Sequence, residues 1–226
     1  LLSVDRRAVV ALLYTVVALG IGHYAFTFPA MRRAGWLAEW SVPDRQLGLG
    51  LIWASAQLVL LGLVPLLIVR LWHREPLRSV GWSADGLTRH LRVYTALFVV
   101  VLPFVYLAAQ RADFSRTYPF VAAARTDVPT FMVWEIAYAL TFVSLESFFR
   151  GYLLFTLAAR MGWMSLFVMV VPYAMLHFGK PWPEAFAAIG AGLLLGALAL
   201  MFRSFWGGVA LHVAVAVAMD ALAVFG

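Results

Sequence analysis

Seven stretches of apolar residues, at about 8–31, 47–71, 91–109, 129–158, 163–178, 183–202 and 205–225, leave this chain little choice of fold. Crossing the hydrocarbon core of a bilayer takes about 20 residues of helix. In that core no water meets the backbone N–H and C=O groups, so each segment has to satisfy them within itself. The expectation is an all-α, polytopic membrane helix bundle of about seven transmembrane helices. With 64% of residues hydrophobic and 12% charged, the chain has too few charges to cover a soluble domain of this size. The fourth segment is long and the fifth short, which predicts tilt, or a helix ending inside the protein.

The whole chain, 1–226, reads as one membrane domain, without internal repeats or low-complexity tracts. The first apolar run is full length and has no small-residue cleavage site before Arg32-Arg33, so it reads as a retained span rather than a signal peptide. The formal charge is +6, and its arginines are scattered among loops and helix ends. That scatter points to anionic lipid headgroups as partners and away from nucleic acid. No cysteine is present, which excludes a disulfide framework and a thiolate metal site.

Against this apolar background, Glu146 and Arg150 stand four residues apart, on one helical face. Charges inside a membrane span are costly singly and usually face the protein interior, where they mark functional sites. At about 1.5 Å of rise per residue, Glu146 lies about 21 Å and Arg150 about 15 Å from the turn at 160–162. The same turn puts His177 at about 22 Å, and the turn at 203–204 puts His212 at about 13 Å, Asp220 at about 25 Å and Glu184 at about 28 Å. All fall within a core about 30 Å thick, so an intramembrane polar site is expected. Alone, a Glu–Arg pair reads as a structural bridge and a buried His as a packing residue; the combination across separate segments favours chemistry. Glu135 is expected near the far headgroups as an interfacial charge. Gly192 and Gly196 form a small-xxx-small stripe suited to close helix packing.

These residues resemble the CPBP family of membrane proteases, related to the type II CAAX prenyl endopeptidase. The resemblance rests on Leu145-Glu146-Ser-Phe-Phe-Arg150-Gly151, Tyr173-Ala-Met-Leu-His177 and His212-Val-Ala-Val-Ala216, and it covers roughly 129–225. It implies an intramembrane endopeptidase of glutamate type, acting on a membrane-anchored protein or peptide. In that picture Glu146, partnered with His177, activates water, His212 supports the oxyanion, and Arg150 and Tyr173 assist. Two positions depart from the pattern. Leu145 stands where the family has its first Glu, and Ala216 where it has Asn or Asp. Glu184, seven residues after His177, and Asp220, eight after His212, are the expected replacements by helical spacing. No cofactor is implied, although two histidines with carboxylates are also a set that binds a divalent metal. The competing readings are a catalytically silent relative that scaffolds a membrane partner, and a proton-coupled carrier. A composition rich in Ala, Val, Leu and Arg suggests a bacterial inner membrane.

Overall fold

The computed structural model describes residues 5–226, and among them every regular element is helical. In chain order these are α1 (Arg6–Phe26), α2 (Phe28–Arg33), α3 (Val42–His73), α4 (Leu87–Ala109) and α5 (Ala112–Thr117). They are followed by α6 (Val128–Met161), α7 (Met164–Met175), α8 (Trp182–Phe202) and α9 (Trp206–Phe225), with 3-10 turns at Leu77–Val80 and Ala122–Arg125. Six of these, α1, α3, α4, α6, α8 and α9, are long and apolar enough to cross a bilayer. The chain is a multi-pass integral membrane protein.

The segment expected as a seventh span holds a helix too short to cross a bilayer by itself. The segment at 163–178 forms a helix of only 12 residues, α7. Its length of about 18 Å falls short of a hydrocarbon core about 30 Å thick. Pro172 lies inside α7, and beyond Met175 the chain tightens into successive i→i+3 turns, His177 N–H to Ala174 O and Lys180 N–H to His177 O. Gly179, at φ 94°, takes a left-handed turn before Pro181 and Pro183 start α8.

Helix α6 is the axis of the bundle and packs on α1, α3, α7, α8 and α9, while α4 is held mainly by α9. At 34 residues, or about 51 Å, α6 must tilt or project from the membrane. Its segment Ser147–Leu153 is wound with wide i→i+5 turns, and all seven of its residues are buried. The main apolar core gathers there: Phe148, Phe149 and Leu153 against Ala11 of α1, Leu61 of α3 and Met169 of α7. Two further wide turns flank Pro65 in α3, where the missing N–H breaks the ordinary ladder. No proline lies in Ser147–Leu153, and that wide turn is gripped from outside. Trp82 Nε1 donates to Ser147 Oγ at 2.9 Å, and Gly151 lies so near the 3-10 turn that a Cβ would sit 2.9 Å from the Val80 carbonyl oxygen.

Helices α6 and α9 run antiparallel. Trp134, early in α6, bonds Asp220, late in α9, and Glu146, further along α6, bonds His212, early in α9. Both polar contacts that matter below cross this one interface.

Candidate active site

Glu146 is completely buried, yet it is not alone. His212 Nδ1 donates to Glu146 Oε1 at 2.7 Å. Arg150 Nη1 sits 3.0 Å from the same oxygen, out of line for a hydrogen bond but close enough for an ion pair. The guanidinium of Arg150, also fully buried, lies 3.8 Å from the centroid of the Tyr173 ring, a cation–π stack. Tyr173 OH in turn is 3.2 Å from His212 Nε2, which closes a ring of four side chains from α6, α7 and α9. A carboxylate only accepts, so Nδ1 of His212 carries the proton and Nε2 of the neutral ring holds a lone pair, to which Tyr173 donates.

Small residues let these groups meet. Gly207 and Gly208 open α9: a Cβ on Gly207 would fall within the Tyr94 ring of α4, and one on Gly208 would lie 2.5 Å from Glu146 Oε2. On α8, Gly192 and Gly196 admit α7 closely; a Cβ on Gly192 would lie 2.8 Å from Tyr173 Cδ1. Phe142, one turn before Glu146, stacks on the His212 ring at 5.2 Å between centroids. The chain signals that could have been read for this are Gly207-Gly208 and the one-turn spacing of Phe142 from Glu146.

Several expectations need correcting. Glu146 pairs with His212, and no hydrogen bond joins it to His177. His177 Nδ1 instead bonds the Tyr173 carbonyl, one turn back, and its partly buried ring lies 5.0 Å from the Tyr173 ring. Because a carbonyl oxygen only accepts, that bond also leaves the lone pair of neutral His177 on Nε2. Tyr173 thus stands between the two imidazoles. Glu184 does not serve His177: it takes bonds from Lys180 Nζ at 2.7 Å and Tyr118 OH at 2.6 Å. The proline-containing turn at 176–181 breaks the helical register on which the seven-residue spacing relied. Asp220 does not serve His212 either. It shares a helix face with it but lies about 12 Å further along α9, and it accepts from Trp134 Nε1 at 2.8 Å. Glu135, expected at the headgroups, is buried at 7% exposure beside Asp220. At the two departures from the family pattern, Leu145 packs against the main core and Ala216 lies buried beside Trp134 and Tyr138.

Among the described residues, no three His, Asp or Glu side chains gather as a metal site would require. Glu146 and His212 are the available ligands, and the Arg150 cation already lies 3.0 Å from the carboxylate, so these residues do not fit a divalent metal. Two open surface grooves lie elsewhere, one around Leu37, Trp40 and Leu51, the other around Leu102, Tyr106 and Phe225. Both are lined mainly by apolar side chains, and neither includes a member of the buried polar ring.

Comparison with known families picks out this same region. A family model described as Type II CAAX prenyl endopeptidase Rce1-like matches residues 127–218. The match includes Glu146, Arg150, Tyr173, His177 and His212 and stops before Asp220. No curated protein and no solved structure matches the chain.

Proposed function

Taking as premise that residues 127–218 are of the CAAX-protease type of membrane endopeptidase, we propose that the chain hydrolyses a peptide bond of a membrane-anchored protein or peptide. The observation that carries this reading is the 2.7 Å bond from His212 Nδ1 to the buried Glu146. A carboxylate that holds one imidazole nitrogen fixes the tautomer and aims the other nitrogen as a base. Glu146 therefore acts through His212.

In the reaction, water takes the place of the Tyr173 hydroxyl at His212 Nε2. His212 Nε2 accepts a proton from water as its oxygen bonds the peptide carbonyl carbon, and the C=O π pair moves onto oxygen. The Tyr173 hydroxyl, freed from Nε2, donates to that oxyanion, the group that a preorganised donor stabilises most. Collapse restores the C=O and breaks the C–N bond, and the leaving nitrogen takes the proton back from His212. One water is consumed, and an acid and an amine are released. Glu146 stabilises the imidazolium between these steps, and Arg150 holds Glu146. His177, across Tyr173 from His212, hydrogen-bonds the incoming peptide. The setting is a bacterial inner membrane, where the arginines at helix ends meet anionic lipid.

A second reading, a silent relative that scaffolds a membrane partner, is favoured by Leu145 and Ala216 in place of the polar family residues. Profiling new peptide termini in membranes that carry the native chain, Glu146→Gln or His212→Ala separates the two. Termini present with the native chain and lost in both variants support hydrolysis. Identical profiles from folded native and variant proteins support the scaffold.

A further inference from the structure

Three turns from the site, the same two helices carry a second buried polar contact that the proposed reaction does not use. Glu135 of α6 and Asp220 of α9 face each other within hydrogen-bonding reach, at 7% and 0% exposure. Trp134 Nε1 holds Asp220 Oδ2 at 2.8 Å. Asp220 Oδ1 and both oxygens of Glu135 have no donor. The cations whose charge reaches Asp220 are Arg125 and Lys180, and both are engaged elsewhere. Arg125 bonds the carbonyls of Ala223, Ser115 and Tyr118, and Lys180 bonds Glu184. The remaining titratable neighbours, Tyr118 and Tyr138, carry no positive charge, and α3 packs on Trp134 and Tyr138 through the Trp53 ring.

Two ionised carboxylates are acceptors only, so they can make no hydrogen bond to each other. Side by side in a low-dielectric interior they also repel, and carboxyl pairs in such settings share a proton. We propose that Glu135 and Asp220 are a proton-binding site: at neutral pH one proton lies between them and clasps α6 to α9. The clasp works on the interface that also holds Glu146 against His212. Binding the proton converts an acceptor–acceptor contact into an O–H···O bond; losing it places two negative charges between the helices.

The test uses the full chain in nanodiscs of neutral lipid and does not depend on cleavage, so it stands apart from the proposed hydrolysis. Infrared difference spectra at neutral pH should show one protonated carboxyl per chain, sensitive to deuterium and absent in Glu135→Gln. Thermal stability of the native chain should fall as pH rises from neutral into the alkaline range. Glu135→Gln, which keeps a donor toward Asp220 but cannot ionise, should lose that dependence. If Glu135→Gln fails to fold, Asp220→Asn makes the same comparison. The absence of a protonated carboxyl at neutral pH, or an alkaline slope unchanged in the folded variant, overturns the proposal.

Discussion

Replacing Gly208 by alanine tests the contact between α9 and Glu146 most directly. The new methyl carbon would lie 2.5 Å from Glu146 Oε2 and 3.2 Å from its carboxyl carbon. Ordinary contact needs roughly 3.5 Å, so the carboxylate must move by about 1 Å. It cannot swing away freely, because Oε1 is held by His212 at 2.7 Å and by Arg150 at 3.0 Å. A shift of about 1 Å takes the His212 bond beyond hydrogen-bonding distance, and a bond to a charged group contributes about 1.5–3 kcal/mol. Alanine recovers about 1 kcal/mol of helix propensity over glycine. Gly208→Ala should therefore destabilise the native chain by about 0.5–2 kcal/mol. In a Glu146→Ala background the clash has no target, and the same change should stabilise by about 1 kcal/mol. The expected coupling energy is thus about 1.5–3 kcal/mol, read from a double-mutant cycle of denaturant unfolding in mixed micelles. A coupling below about 0.5 kcal/mol would refute the claim that Gly208 exists to admit Glu146.

Gly192→Ala should cost about 1–3 kcal/mol through overpacking, because its methyl meets Tyr173 Cδ1 and Val170 Cγ2, each at 2.8 Å; thermal unfolding measures it. Trp82→Phe removes the donor to Ser147 and should cost about 1 kcal/mol, with faster amide exchange in Ser147–Leu153. Asp127, which caps α6 just before the span, has its carboxyl held below the usual range by the Thr130 N–H, then by the hydroxyls of Thr126 and Thr130. Because the folded pKa is depressed, the cap's contribution is complete above the ordinary aspartate range and fades as pH falls through the folded value. Amide exchange in the first turn of α6 should accelerate on acidification in the native chain and be pH-insensitive beyond its intrinsic rate in Asp127→Asn.

Apolar run length was enough to foresee a helical membrane bundle, since backbone hydrogen bonding in lipid permits little else. It does not give the length of the helix at 163–178, because hydropathy does not register where the turn at 176–181 stops a helix. Counting rise per residue put Glu146, Arg150, His177 and His212 in one layer, but height carries no information about azimuth. That is why height alone pairs Glu146 with His177, whereas α9 presents His212 to it. The wide turns at Ser147–Leu153 add a rotation that a regular 3.6-residue wheel cannot include. The burial of Glu135 escapes the sequence for a related reason. Its height suggested an interface, while its depth within the bundle depends on Asp220 and Trp134, distant in sequence.

The Glu146–Arg150 pair also bears on whether the site is chemical or structural. Both side chains are fully buried, and no Arg150 nitrogen makes a hydrogen bond. Taking a charge pair out of water costs more than their attraction returns unless hydrogen bonding is complete, so apolar residues of similar size are often as stable or better. Removing one partner alone, as in Arg150→Met, leaves a buried charge unpaired and should cost about 3–5 kcal/mol. Replacing both, as in Glu146→Leu with Arg150→Met, should recover the ion-pair loss and leave only the deficit of the forfeited His212 bond, about 1.5–3 kcal/mol. The same double variant should produce none of the new peptide termini assigned to the native chain. An ion pair whose joint removal costs no more than the His212 bond is one retained for what it does to His212. If the double variant is instead as unstable as Arg150→Met, the ion pair is a structural element of the bundle, and the scaffold reading gains what the hydrolase reading loses.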